Sequence, residues 1–106
     1  MIYEVIYMRA DYEPWWMFED WEKMIRSRKS FESAEEAMEY LSDLKKEFGA
    51  KYKYKEERKD CFFAYWSDAE RIFCEGCDED LQIFHGIISL ADGKPSSITL
   101  INNSNI

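Results

Sequence analysis

The chain has 106 residues, with 14 Lys and Arg against 22 Asp and Glu, giving a formal net charge of -8. Hydrophobic residues make up 46% and aromatics 17%, which excludes a disordered chain, and the length accommodates one domain. The acid excess disfavours general nucleic-acid binding, which needs a positive surface.

Taken in chain order, the first nine residues are rich in β-branched and aromatic side chains (Ile2, Val5, Ile6, Tyr7) and read as a strand buried on at least one face. Residues 9–13 turn the chain. Pro14 opens residues 14–25, where Phe18, Trp21 and Ile25 recur at helical spacing, so a short helix or helical turn is expected. Residues 26–31 are polar with one terminal aromatic and read as a short edge strand. Ser33 followed by Glu36 is a capping-box pattern. Ala37, Leu41, Leu44 and Phe48 then form an apolar stripe, supplemented by Ala34, Met38 and Tyr40. With Lys45 and Lys46 in the last turn and Gly49 as the residue after the end, a helix over about 33–48 is predicted.

Residues 51–55 alternate Lys and Tyr strictly, and 61–66 are a strong strand run. Residues 67–70 read as a turn and 71–74 as a returning strand. The longest apolar stretch, 81–90, reads as one strand, and Asp92-Gly93 signals a turn. The sum is an α+β fold, a mainly antiparallel sheet of about five strands with one main helix and a short N-terminal helical turn packed on it. Residues 1–92 form the domain. Residues 93–106 are a short polar tail whose candidate element is an edge strand around 98–101.

There is no run of about 18 apolar residues, so no membrane span is expected. Residues 1–7 lack the basic and apolar regions of a secretory leader, so the expected compartment is the cytoplasm. Three Cys in that compartment argue against a disulfide framework. There is no Gly-rich phosphate loop, no nucleophile elbow and a single His, so catalysis is the weakest reading.

Three constellations carry chemistry. The first is the acidic aromatic segment 12–21, with Tyr12, Glu13, Trp15, Trp16 and Trp21 as candidate partner-binding residues. Adjacent Trp15 and Trp16 would point about 100° apart on a helix, so at least one is exposed. Such rings dominate binding hot spots, and the acids around them favour a basic partner; the bland alternative is that they cap a small core. The second is Cys74-Glu75-Gly76-Cys77 with His85, a candidate zinc set that Cys61 would complete as a fourth ligand. The bland alternative is small buried thiols beside a solvated acidic turn, with His85 a hydrogen-bonded sheet residue. The acids between 75 and 80 would raise thiol pKa values, which argues against redox use. The third is the stretch 45–60, locally +3 within a remainder of -11. There Lys51, Lys53 and Lys55 would share one strand face, a weak nucleic-acid candidate. Lysines that protect an edge strand explain the same pattern.

The segment Arg9-Ala10-Asp11-Tyr12-Glu13-Pro14-Trp15-Trp16 with Trp21, together with Cys74-Glu75-Gly76-Cys77-Asp78-Glu79-Asp80-Leu81-Gln82 and His85, resembles the small Gram-positive bacterial family known as domain of unknown function 1033. The resemblance covers roughly residues 1–92 and implies a cytoplasmic bacterial protein, without an activity to carry over. The family's marked positions fall on Trp15-Trp16 and on the Cys-x-x-Cys with His85. Cys61 is not part of that motif, which leaves at most a three-ligand zinc site of Cys74, Cys77 and His85. The leading expectation is a non-catalytic protein-interaction module without a cofactor. A zinc-stabilised domain and a nucleic-acid adaptor are the alternatives.

Overall fold

The computed structural model describes residues 1–74, 76 and 79–98. It is an α+β fold of one main helix and a mostly antiparallel sheet. The strands are β1 (Tyr3–Ala10), β2 (Ile25–Phe31), β3 (Tyr54–Arg58), β4 (Phe62–Trp66), β5 (Arg71–Cys74), β6 (Glu79–Gln82), β7 (Phe84–Ala91) and β8 (Lys94–Pro95). Six of them form the main sheet in the order β2-β1-β7-β4-β3, with β8 pairing beside β7. The expected edge strand at 26–31 is one outer strand; the one expected at 51–55 is the other outer strand but is shifted to Tyr54–Arg58. The Asp92-Gly93 turn joins β7 to β8 with both residues at positive φ, 50° and 82°.

The returning strand differs from expectation. β5 does not rejoin the main sheet; it pairs with β6 in a separate two-stranded sheet. The apolar run 81–90 is correspondingly split at Ile83, whose amide donates to the Glu70 carbonyl at 3.0 Å. The expected edge strand at 98–101 does not form at Ile98, and the rest of it lies outside the described residues.

Alternation along β1, β4 and β7 gives the sheet two buried faces. Val5, Phe63, Tyr65 and Ile87 face the helix α1 (Ala34–Lys51). Ile6, Met8, Phe62 and Ile88 face the other way, together with Cys61. The helix begins as predicted: Ser33 is its N-cap, and the Ser33 hydroxyl accepts from the Glu36 amide at 3.3 Å. The predicted stripe faces the sheet, with Ala37, Leu41 and Phe48 buried.

The helix end was expected at Gly49 and lies later, at Lys51, with Tyr52 as C-cap. A further half-turn lets Tyr52 pack edge-on to Phe48 at 5.6 Å, a tertiary gain that overrides the local stop signal. Lys51 is therefore helical, Lys53 lies between elements, and only Lys55 sits on a strand. The three lysines do not share one strand face.

The second sheet face is covered by residues 12–25. Here the expected short helix or helical turn forms as two 3-10 turns, Pro14–Trp16 and Trp21–Met24. Pro14 is fully buried against the middle of β7 at Gly86. A Cβ at Gly86 would stand 2.8 Å from the Pro14 Cβ, so only glycine lets the cover seat there. Among the described residues, no helix is long and apolar enough to cross a membrane.

Candidate functional site

The aromatic segment is a cover with two sides. Trp15, Met17, Trp21 and Tyr12 pack against Ile6, Met8, Phe62 and Ile88 on the sheet. The Arg58 guanidinium lies 4.1 Å from the centroid of the Trp15 ring and clamps it from outside. Trp16 points the other way and is 56% exposed. The divergence comes from the backbone: the first turn ends at Met17, whose φ of 41° is left-handed. For a non-glycine residue that conformation costs roughly 1–2 kcal/mol, which the burial of Met17 offsets.

Phe18, placed by helical spacing with the inward residues, is instead 49% exposed. Without a helix the three-residue spacing to Trp21 carries no facing information. Phe18 stacks on Trp16 with centroids 6.0 Å apart and planes within 3°. It also meets Tyr12 edge-on at 4.8 Å. Burial, with Asp20 and Asp11 close by, pushes the Tyr12 hydroxyl upward. Asp11, Glu13, Glu19 and Asp20 form no ion pair with a described residue. Of the five candidate partner-binding residues, Trp16 is therefore outward, while Tyr12, Trp15 and Trp21 serve the core and Glu13 opens the first turn.

His85 is the centre of a second cluster, on the helix side of β7. It is 4% exposed and sandwiched in aromatic rings, with Tyr52 stacked at 4.2 Å and Tyr7 at 5.8 Å. Its Nε2 lies 2.7 Å from Glu70 Oε1, and its Nδ1 lies 2.7 Å from the Tyr7 hydroxyl. A carboxylate can only accept, so Nε2 donates to Glu70, and in the neutral ring Nδ1 accepts from Tyr7. Glu70 is further held by Arg9 at 3.8 Å. The β1–β7 register that sets Arg9 opposite His85 builds this cluster. Burial first, and then Tyr52, raises the Tyr7 pKa, so the hydroxyl keeps its proton at neutral pH. The carboxylate, imidazole and hydroxyl thus form one hydrogen-bonded chain from Glu70 through His85 to Tyr7.

Sequence reasoning named His85 but missed Tyr7, Tyr52 and Glu70. Their chain separation from His85 hides them, and the parity of Tyr7 on β1 was the one available signal. With both ring nitrogens engaged, zinc ligation by His85 would require release of one hydrogen bond. Cys77 lies outside the described residues, and among the described residues no group of three His, Cys, Asp or Glu is placed to hold a metal. Cys61 is buried on the opposite sheet face from His85 and cannot join it. Burial pushes its thiol pKa up.

The family model described as "Protein of unknown function (DUF1033)" matches residues 2–104. The chain belongs to this family. The match runs past the expected boundary at residue 92 and takes in most of the polar tail. Searches of curated proteins and of solved structures give no match.

In this DUF1033 chain the basic stretch also has a structural role. Lys55 is paired across the strands with Tyr65, and Glu57 with Phe63. The Lys45 ammonium lies 4.2 Å from the Phe63 ring centroid and 3.6 Å from Glu57. Tyr65 is 1% exposed, and burial, with Glu57 nearby, pushes its hydroxyl up to about 12. An unfolded Tyr titrates near ~10. Between those values the folded state holds a proton that the unfolded state releases, so stability falls as pH rises from about 10 to about 12. The loss should reach about 2–3 kcal/mol, with Tyr7 contributing in the same direction. Denaturant unfolding of wild type and Tyr65→Phe across that window checks this. The variant should show a shallower slope; an equally steep one would refute the assignment.

Proposed function

We propose that this protein is a non-catalytic interaction module that binds a Lys- or Arg-bearing segment of a partner protein at Trp16 and Phe18. One observation carries the reading: two large rings stack in parallel, about half exposed, beside carboxylates that no described residue neutralises. Aromatic faces attract cations, and surrounding acids strengthen that attraction and set its sign. The inward residues Trp15 and Trp21 support the reading by anchoring the segment, so the ledge is presented on a rigid base. The expected cytoplasmic location fits a module of this kind.

A hexa-arginine peptide is the direct probe. Tryptophan fluorescence should change saturably and reversibly with salt. The Trp16→Ala/Phe18→Ala variant should fold normally, because neither ring is in the core, and should bind at least about tenfold more weakly. Equal affinity for wild type and variant would refute the reading. Trp15→Ala is unsuitable for this purpose, because it removes a core ring and its Arg58 contact.

A zinc site of Cys74, Cys77 and His85 has no such supporting observation, since His85 already has two partners. Lys51, Lys53 and Lys55 lie on the helix end, the connection and β3 in turn, so the nucleic-acid reading lacks the common strand face on which it was built.

A further inference from the structure

The helix lies over β1 and β2, and among the described residues a gap remains beside the β3–β4 half of this sheet face, bordered also by Ser97 and Ile98. Between α1 and these strands is a cleft of about 570 Å³, within the range of small-molecule sites. Phe63 and Tyr65 line it from the sheet, and Met38 and Leu41 from the helix. Lys45, Lys46 and Lys55 bring three ammonium groups to the same space, against Glu57 and Asp60. Glu57 is occupied by Lys45, and neither Lys46 nor Lys55 forms an ion pair with a described residue. In a chain of net charge -8, this is a local reversal of sign.

Two further observations point to a ligand. Tyr65 is 1% exposed, yet its hydroxyl makes no hydrogen bond with any described residue. The residue lines the cleft, with Glu57 near its hydroxyl. Among the described residues none accepts from it, and a buried hydroxyl without a partner is costly to maintain. Gly49 is the second. It lies inside α1, where glycine is the poorest ordinary helix former, and it has no positive φ to justify it. A Cβ there would meet nothing within 4 Å, so packing does not require glycine either. Gly49 lines the cleft, and its bareness keeps that wall open.

We propose that the cleft between α1 and the β3–β4 strands binds a small amphipathic anion, an apolar body carrying a carboxylate. The body lies against Met38 and Leu41, since Lys45 already covers the Phe63 ring. The carboxylate takes Lys46 and Lys55, and the Tyr65 hydroxyl donates to it. The cleft is on the helix side of the sheet, away from Trp16 and Phe18, so the two sites stand or fall separately.

Calorimetric titration of the full chain with sodium decanoate tests this, with decanol and decyltrimethylammonium as neutral and cationic counterparts. Decanoate should bind saturably at one site, at least about tenfold tighter than either counterpart. Lys46→Gln/Lys55→Gln should weaken it by about tenfold or more. Gly49→Leu should do the same by filling the cleft while leaving the melting temperature equal or higher, because leucine favours the helix. Tyr65→Phe should weaken it about threefold to tenfold. No binding of decanoate, equal binding of decanol, or an affinity unchanged in both the lysine variant and Gly49→Leu would each overturn the proposal.

Discussion

Replacing Gly86 by alanine will destabilise the protein by about 1–3 kcal/mol, the usual cost of forcing one extra carbon into a packed core. The new Cβ would stand 2.8 Å from Pro14 Cβ, 3.0 Å from Pro14 Cγ and 3.1 Å from Met8 Cγ. None of these is the free end of a flexible chain. Pro14 is fixed by its ring and by the turn it opens, and Met8 is 1% exposed in the central strand β1. The least costly relaxation lifts the Pro14–Trp16 turn, which would loosen Trp15 from the sheet. For a domain of this size each kcal/mol lowers the melting temperature by about 4–8 °C. Urea unfolding of Gly86→Ala, Pro14→Gly and the double variant checks the mechanism. If the clash is the cause, the double variant loses less than the sum of the singles, with a coupling of about 0.5–3 kcal/mol. Strict additivity would show that Gly86 matters for another reason. The same variants link packing to function, because a lifted turn should also disturb the Trp16–Phe18 ledge.

Replacing His85 by phenylalanine should cost about 2–3 kcal/mol, for a different physical reason. The phenyl ring can still stack on Tyr52, so little packing is lost. What disappears is both hydrogen bonds, to Glu70 and to Tyr7. Glu70 remains partly solvated and keeps Arg9 at 3.8 Å, which limits the penalty on its side. The half-buried Tyr7 hydroxyl bears more of it. Pairing His85→Phe with Glu70→Gln in a double-mutant cycle isolates the His85–Glu70 hydrogen bond, and a coupling of about 1 kcal/mol or more is expected. A cycle near zero would reduce His85 to a packing residue.

These two positions mark the boundary of what could be read from the chain. Gly86 lies inside the run 81–90, which reads as an uninterrupted apolar strand, and nothing within that run says that a proline 72 positions earlier needs the space. His85 could be read as a hydrogen-bonded sheet residue, and it is one, but its partners come from β1 and from the turn before β5. The Trp-rich segment could be recognised as holding both inward and outward rings. Which ring faced out could not be read, because a helical period was assumed where two 3-10 turns and a left-handed Met17 occur. Phe18 was misplaced for that reason. Lys51, Lys53 and Lys55 were aligned by an alternation that begins before the strand does, since the helix runs on to Lys51.

Signals confined to a few neighbouring residues were sufficient for much of the fold. Ser33 with Glu36 marks the start of α1, the Ala37–Leu41–Phe48 stripe marks its buried face, Asp92-Gly93 marks a hairpin, and the composition of 61–66 marks β4. Each rests on spacing or composition within one short segment, so the chain carries them wherever it folds. Family membership belongs here too, since it rests on the order of residues alone. The two-faced sheet, the pairing of β5 with β6, the Glu70–His85–Tyr7 network and the open cleft beside Gly49 were settled by contacts between distant parts of the chain. Their energies depend on which strands pair and in what register. A one-residue change of register would turn His85 and Tyr7 to the opposite face, so no local reading of the sequence could place them.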